Sequence, residues 1–300
     1  MDFEALKSSS SGFDKLTKAL EKNLNSEDQS NKNKYQDERF WKPELDKTGN
    51  GYAVIRFLPA IQGEDLPWQR VWSHAFQDKG GWYIENSLTT LSQKDPVSEE
   101  NTRLWNTGVD SDKDIARKRK RKLSYFSNIL CISDPKHPEN EGRVFLFKFG
   151  KKIFDKITEA MQPAFEDEKP INPFDFWKGA NFKLKIRKVD GYWNYDKSEF
   201  EAVSATADGD DKIKAIWSTQ YPLKPFLAPD NFKSYDELKE KLNRVISGTR
   251  STKTADNDEL PPTVKSAGSV KSMSEIPTAP AASDDDDTLS YFSKLAEDDQ

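Results

Sequence analysis

The chain has 300 residues, which is enough for one large hydrophobic core with appendages or for two modest domains. No run approaches the apolar length of a membrane span, and no N-terminal segment has the basic start, apolar stretch and small-residue cleavage site of a signal peptide. We therefore expect a soluble protein that is not secreted. The single cysteine, Cys131, excludes an internal disulfide and agrees with a cytosolic compartment.

Charge is distributed unevenly along the chain. The net charge is −5 overall, but residues 251–300 hold 4 Lys against 11 Asp or Glu, whereas residues 1–250 hold 42 cations against 40 anions. A mildly basic body with an acidic tail suggests a body that binds a polyanion and a tail that competes for the same groove or recruits partners. A solubilising disordered tail would give the same pattern.

The N-terminal residues 1–38 are predicted to form an arm and a linker. Ser11 can cap a short amphipathic helix, and residues 25–38 are polar enough to be a linker. The apolar face of that helix would hold Phe13, Leu16, Leu20 and Leu24. The folded body is expected to begin near Phe40, and a first strand is predicted from Tyr52 to Leu58.

The most informative stretch is a run of six cations, Arg117 to Lys122, which leads directly into a predicted strand with Tyr125 and Phe126. Cations beside stackable rings suit a single-stranded nucleic acid, because phosphates supply negative charge and unpaired bases expose faces that stack. Ordinary solvated surface is the alternative interpretation of such a charge run.

Two strands, Ser124 to Ile132 and Arg143 to Phe149, are predicted around the loop DPKHPENEG. In the second strand Phe145, Phe147 and Phe149 share one face, while Val144 and Leu146 share the other. This pattern fits a sheet with a base-stacking platform, and it fits equally a strand with two buried faces.

Further elements follow in order. The segment KKIFDKITEAM has the apolar spacing of a helix that packs on the core. In ANFKLKIRKVDGYWNY, apolar Phe182, Leu184 and Ile186 alternate with cations before a turn, which predicts a hairpin that presents Tyr192 and Tyr195. Ser234 and Glu237 form a capping-box pattern for a last helix, and order is expected to end beyond Gly248.

The remaining residues, 249–300, are predicted to be a disordered acidic tail, since they are too poor in apolar groups to offset their ordering entropy. Its tip is a short acidic and hydrophobic peptide suited to docking on a basic, apolar-lined pocket of another protein, unless the clustering is chance. The peptide residues are Asp284, Asp285, Asp286, Asp287, Leu289, Tyr291, Phe292 and Leu295.

Six segments together resemble the single-stranded DNA-binding protein of T-even-type bacteriophages: GNGYAVIRFLP, KRKLSYFSNIL, DPKHPENEGRVF, FGKKIFDKI, GANFKLKI and NYDKSEF. The resemblance covers roughly Trp41 to Ser247. It implies a mainly β (α+β) fold with peripheral helices. The core at 39–248 would be an oligonucleotide-binding (OB) fold, a five-stranded barrel with insertions. The arm 1–38 would precede this core and the tail 249–300 would follow it. It also implies cooperative coating of single strands, with little sequence specificity, in phage DNA replication, recombination and repair in the host cytoplasm.

The resemblance also implies specific contact residues. The family's basic and aromatic groove corresponds to Arg56, Trp105, Arg117, Lys118, Arg119, Lys120, Arg121, Lys122, Tyr125, Phe126, Phe147, Tyr192 and Tyr195. The family's self-association element corresponds to Lys7, Ser8, Ser9 and Ser10, although here only one cation precedes the serines. The acidic tail would recruit replication and recombination proteins, namely a polymerase, a helicase loader and a recombinase mediator.

This chain departs from the family at the family's zinc site. That site needs one histidine and three cysteines, but only His74 matches: Ser87 stands where the first cysteine would follow WYIE, and SQKDPVSEENTR has no Cys-x-x-Cys pair. Because a tetrahedral structural site needs four ligands, we predict that the chain uses no zinc cofactor. His74 is then expected to be packed or hydrogen-bonded, with packing by Trp68, Trp72 and Trp82 replacing the metal's stabilising contribution.

The sequence also bears on two other function classes. An enzyme would need a nucleophile with its base, a tuned carboxylate pair or a phosphate-cradling loop, and the sequence contains none of these motifs. A single-stranded RNA-binding translational regulator is the alternative, because stacking grooves accept either sugar.

Overall fold

A computed structural model of the chain describes residues 37–189 and 191–248. The predicted arm helix and the acidic tail peptide lie outside these residues. The strands are β1 (Phe40–Trp41), β2 (Gly51–Phe57), β3 (Trp68–Asp78), β4 (Gly81–Asn86), β5 (Lys122–Ser133), β6 (Val144–Phe149), β7 (Ala180–Val189), β8 (Tyr192–Asn194) and β9 (Glu199–Val203). The helices are α1 (Pro96–Asn106), α2 (Asp110–Lys118), α3 (Lys151–Met161), α4 (Asp210–Ser218) and α5 (Tyr235–Ser247).

Within the described residues one sheet dominates and the helices lie around it, in agreement with the predicted mainly β class. The strand order is β1-β6-β5-β2-β7-β8, with β3 paired to β5 and β4, and β9 paired to β7. The β1–β6 pair is parallel. Strand β5 is central, because its first half pairs with β3, its second half with β2, and its other edge with β6.

The main hydrophobic core lies on one face of this sheet, and we call it the sheet core. It combines side chains from the outer strands β1 and β6 with side chains from β2, β5 and β7 and from helix α3. Trp41 and Phe182, for example, belong to the same cluster although three strands lie between β1 and β7 in the sheet order. The sheet therefore curls around a single core.

The alternation predicted for β6 is confirmed, and it shows which interpretation holds. Phe145, Phe147 and Phe149 lie in the sheet core, whereas Leu146 packs on the other face with Phe126 and Phe226. Both faces of β6 are buried. The strand is thus the doubly buried alternative rather than a stacking platform.

Three other predicted elements are confirmed. The segment after Gly150 forms α3, and β7 buries Phe182, Leu184 and Ile186 as its alternation predicts. Helix α5 begins with the complete capping box of Ser234 and Glu237. It ends at Gly248, whose φ of 71° is a left-handed conformation that glycine adopts without steric cost.

A second, smaller cluster lies where α5 packs on β3, β4 and α1, and we call it the insert core. Its members are Phe76, Tyr83, Leu88, Val97, Leu238, Leu242 and Val245. Glu85 on β4 is buried there and accepts hydrogen bonds from Lys233 Nζ at 2.7 Å and Lys241 Nζ at 2.8 Å. These bonds fix α5 to the β3–β4 hairpin.

The lengths and compositions of the helices decide whether one of them could cross a membrane. Across residues 37–189 and 191–248, none of them combines the length and the apolar character that a crossing would require.

Candidate nucleic-acid interface

The basic run occupies a corner between a helix and a strand. Arg117 and Lys118 end α2, Arg119 caps it, and Lys122 begins β5. Arg117, Lys118 and Lys122 are exposed, while Lys120 and Arg121 are half-buried. Because the chain turns within the run, the six cations do not share one face.

Arg119 differs from its neighbours because it is buried. Its Nη2 atom lies 2.5 Å from Asp78 Oδ2, and its guanidinium lies 5.5 Å from the centre of the Phe76 ring. The pairing with Arg119 and the Lys79 amide lowers the pKa of Asp78 against the opposing effect of burial, which is the largest single contribution. Arg119 therefore anchors the run to the β3–β4 hairpin.

Strands β3 and β5 together present a face with cations and rings, which we call the β3–β5 face. In this antiparallel pair Arg70 lies opposite Tyr125 and Trp72 lies opposite Leu123, so these side chains project to the same side. The guanidinium of Arg121 lies 4.1 Å from the centre of the Trp72 ring. The members of the β3–β5 face are Trp68, Arg70, Trp72, Arg121, Leu123 and Tyr125. Arg70 is exposed, and Trp68 and Trp72 are half-buried.

Tyr125 lies at the inner edge of this face. It is only 5% exposed, and its ring stacks on Phe154 of α3 with a centroid distance of 3.9 Å. Burial raises the pKa of its hydroxyl. Phe147, a neighbour in the sheet core, is 4% exposed and packs edge-on against Trp41. In this structure both rings support the surface from beneath.

Phe126 projects to the opposite face of the sheet, because consecutive strand residues alternate. Its ring stacks on Phe226 at 4.3 Å and is 5% exposed. Phe226 comes from a short 3₁₀ turn, Lys224–Leu227, that covers this side of β5. The covering turn gives Phe126 a packing position, which differs from the stacking contact implied by the family resemblance.

Arg56 also differs from the expected cleft cation. It is fully buried on β2, and its Nη2 atom donates 2.8 Å hydrogen bonds to the carbonyl oxygens of Asp175 and Ser204. Burial lowers the pKa of its guanidinium, against the favourable charge of Asp175. A Cβ atom at Gly179 would clash with the carbonyl oxygen of Asp175 and lie 2.7 Å from Nη2, so this position requires glycine. Arg56 joins two loops to the sheet.

The remaining predicted rings lie at two other places. Trp105 on α1 is half-buried, with Lys113 Nζ 5.9 Å and the Arg117 guanidinium 5.4 Å from its ring centre. Tyr192 and Tyr195 are half-buried near β8, which lies three strands from β5 in the sheet order. Burial raises the pKa of Tyr195. Arg121 and Tyr125 thus belong to one face, and Tyr195 packs against the sheet core, the cluster that also contains Tyr125.

Sequence reasoning left four contributors out of this surface: it did not single out Arg70, and it assigned Trp68, Trp72 and Phe154 to packing. The signal for three of them was present, because WQRVW places Trp68, Arg70 and Trp72 at alternate positions of one strand. Their pairing with β5 could not be inferred, since 53 residues lie between Trp68 and Lys122. Phe154 was assigned to packing, and its half-buried ring does pack on Tyr125.

His74 occupies a buried polar centre. Its Nδ1 atom donates to the carbonyl oxygen of Arg119 at 2.9 Å, and its Nε2 atom lies 3.2 Å from Asp95 Oδ1. Asp95 caps α1 and accepts four further hydrogen bonds, including one from Ser87 Oγ at 3.0 Å. Burial opposes ionisation of Asp95, yet His74 and these donors lower its pKa to about 2. We call His74, Ser87, Asp95 and Ser98 the His74 centre.

The donor set of the His74 centre does not fit the zinc ion of the family. It offers one imidazole, one carboxylate and two hydroxyls, whereas structural zinc takes thiolates and imidazoles. Both oxygens of Asp95 already accept two hydrogen bonds each. Within residues 37–189 and 191–248, no three side chains of His, Cys, Asp or Glu form a group that could hold a metal ion.

A sheet face with cations beside half-buried rings has the chemistry of a single-strand nucleic-acid interface. Comparison with known proteins agrees with this class. A sequence model of the family described as gp32 DNA binding protein like matches residues 49–246. The chain is similar to the single-stranded DNA-binding proteins of Enterobacteria phage T2 (41% identity) and Enterobacteria phage T4 (40% identity), each over 218 residues that cover 70% of this chain and 71% of the relative. The chain belongs to the gp32-like DNA-binding family.

Proposed function

We propose that this protein coats single-stranded DNA during phage DNA replication, recombination and repair, with little sequence specificity. The observation that carries the proposal is the β3–β5 face, where Arg70 and Arg121 lie beside the half-buried rings of Trp68 and Trp72. The names of the T2 and T4 relatives support the choice of single-stranded DNA as the ligand.

The proposed mechanism is electrostatic and stacking-based. The exposed cations of the basic run neutralise phosphates and release counterions, while half-buried rings offer faces to bases. Trp105, Tyr192 and Tyr195 keep partly exposed rings and remain proposed base contacts. Arg56, Arg119, Tyr125 and Phe147 are proposed to act from beneath the surface, through the positions of their neighbours, whereas Phe126 is proposed to stabilise the opposite face of the sheet.

Removal of secondary structure from DNA needs no chemical step. A protein that binds the unpaired strand more tightly than the duplex shifts the equilibrium towards the unpaired strand by mass action. The proposal is therefore of a non-enzymatic protein without ATP hydrolysis.

The core is proposed to be an OB fold. The support is the curled sheet, in which β1 and β7 contribute to one sheet core although they lie far apart in the strand order. A barrel-like OB core closes around its apolar side chains in the same manner and binds strands across its outer surface.

The terminal segments are proposed to serve assembly. Lys7 to Ser10 would mediate self-association along DNA, and the peptide at Asp284 to Leu295 would bind replication and recombination proteins. Both proposals rest on the sequence: serines after a cation in the arm, and apolar residues among acids in the tail. The proposed compartment is the cytoplasm of the infected bacterium.

The test is a titration of the full-length chain, and of a chain ending at Gly248, with oligo-dT, RNA of matched length and duplex DNA. Tryptophan fluorescence at several salt concentrations reports binding. We expect tight, steeply salt-dependent binding of oligo-dT, weak binding of duplex, and tighter binding without the acidic tail. Equal affinity for duplex, or no binding, would contradict the proposal, and preference for RNA would favour a translational regulator.

A further inference from the structure

We propose that the His74 centre replaces a structural metal ion in this chain and that it positions the basic run by holding the backbone of Arg119. The protein would therefore fold and bind DNA independently of zinc. The part that concerns DNA rests on the proposed function, whereas the part that concerns the metal does not.

The His74 centre joins three segments of the chain. His74 lies on β3, Ser87 directly follows β4, and Asp95 precedes α1, so these segments meet at one buried point. These are the segments in which the family's one histidine and three cysteines would stand. Asp95 and Ser98 also have the spacing of a Cys-x-x-Cys pair. A metal ion cross-links such segments, and here Ser87 Oγ donates a hydrogen bond to Asp95 while His74 Nε2 lies 3.2 Å from the same carboxylate.

Both carboxylate oxygens of Asp95 have their full set of hydrogen-bond donors. Its Oδ1 atom accepts hydrogen bonds from the amides of Val97 at 3.1 Å and Ser98 at 3.0 Å, and its Oδ2 atom accepts from Ser87 Oγ at 3.0 Å and the Leu88 amide at 3.1 Å. A buried carboxylate is stable only when its oxygens have such partners. The carboxylate thus organises its surroundings as an ion would, with hydrogen bonds in place of metal–ligand bonds.

The backbone of Arg119 connects the His74 centre to the basic run. The carbonyl oxygen of Arg119 accepts hydrogen bonds from His74 Nδ1 at 2.9 Å and from Asn101 Nδ2 at 3.2 Å, and both donors are buried. On its side-chain end Arg119 is paired with Asp78. Arg119 is therefore held at both ends. The chain leaves this fixed point as Lys120, Arg121 and Lys122, so His74 acts as a positioning residue for the phosphate-binding cations.

The metal part is tested on the full-length protein by thermal unfolding with EDTA, with added Zn²⁺ and with neither, together with a zinc assay of the purified protein. We expect the same melting temperature in all three conditions and no stoichiometric zinc. A melting temperature that falls in EDTA, or zinc bound at one ion per chain, would overturn the proposal.

A gain-of-function variant tests the location. The triple substitution Ser87→Cys, Asp95→Cys and Ser98→Cys adds three thiols around His74. If these four positions coincide with a metal site, the variant binds one zinc ion and its melting temperature falls on addition of EDTA. A folded triple variant that takes up no zinc would contradict the proposed coincidence.

The positioning part is tested with His74→Gln and Asp95→Asn, and with the milder Ser87→Ala in case the first two do not fold. Binding of oligo-dT is measured well below each melting temperature. We expect weaker binding and a salt dependence whose log–log slope is smaller by about 0.7 for each lost phosphate contact. Leu242→Ala in the insert core is the matched control, because it lowers the melting temperature without touching Arg119.

The outcomes separate the two proposals. If His74→Gln lowers the melting temperature as much as Leu242→Ala but leaves the affinity and salt slope unchanged, the positioning role is wrong. If the wild-type protein does not bind single-stranded DNA at all, the proposed function fails, whereas the EDTA and triple-cysteine experiments still decide the metal replacement.

Discussion

The two faces of β5 both carry aromatic residues, but they differ in how far their rings are covered by other segments. On the β3–β5 face, Trp72 is half-buried beside Arg121 and open to a ligand. On the other face, Phe126 is enclosed by Phe226 and Leu146. The difference arises from what covers each side: a 3₁₀ turn covers Phe126, whereas Phe154 of α3 covers the inner part of the β3–β5 face, where it packs on Tyr125 and Trp68. Covering segments, and not the residue type, decide which aromatic rings stay accessible to a ligand.

The covered face should matter for stability alone. Phe126→Ala would remove a buried ring from the cluster of Val71, Leu146, Leu223 and Phe226, and such truncations cost about 3 to 5 kcal/mol of unfolding free energy. We expect a large decrease in the denaturant midpoint and, well below the transition, an unchanged affinity for oligo-dT. Chemical denaturation and a fluorescence titration measure the two quantities on one sample.

The control for this variant is Phe126→Leu, which keeps most of the apolar volume and should lose much less stability. A loss of DNA affinity in folded Phe126→Ala, with stability little changed, would show that Phe126 leaves its pocket to contact a base. That result would remove the contrast between the two faces.

The open face should matter for affinity. Trp72→Ala would remove a half-buried ring that is proposed to stack on a base, and stacking contributes about 1 to 3 kcal/mol per base. We expect roughly tenfold weaker binding of oligo-dT, with a smaller loss of stability than for Phe126→Ala. Trp82→Ala is the matched control, because Trp82 is exposed on β4. Equal effects of the two tryptophan variants on affinity would refute a specific role for the β3–β5 face.

Arg121 tests the charge of the same face. Arg121→Gln would remove one cation beside Trp72, so we expect the slope of log affinity against log salt to become shallower by about 0.7. Arg143→Gln is the control, since Arg143 is exposed on the loop before β6 and lies over Phe145. Unchanged salt dependence in Arg121→Gln, measured from low to high salt, would place the phosphate contacts elsewhere.

Much of the fold followed from local patterns. The alternation in β6 and β7, the spacing of α3 and the capping box of α5 all appear in the structure as predicted, because each depends on residues close together in sequence. The candidate site was harder. Arg56 and Phe126 were predicted as contacts, but long-range packing encloses them: the loops at Asp175 and Ser204 surround Arg56, and Phe226 covers Phe126. No local pattern reveals which distant segment will cover a side chain.

Cys131 marks the far end of the same side of β5, and it gives the smallest expected effect. It belongs to the sheet core together with Tyr125 and Ile129, so the side that is open at Trp72 is closed by the time β5 reaches Cys131. Burial, the largest cause, and the nearby carboxylates of Asp134 and Glu141 raise the pKa of its thiol to about 12. Because only the thiolate reacts readily, the native protein should resist a thiol-specific reagent at neutral pH and react fully after unfolding in guanidinium. Saturating oligo-dT should leave that slow rate unchanged. Rapid labelling of the native protein would show that β5 opens along its whole length, and the contrast between an open end and a closed end of this side would then be wrong.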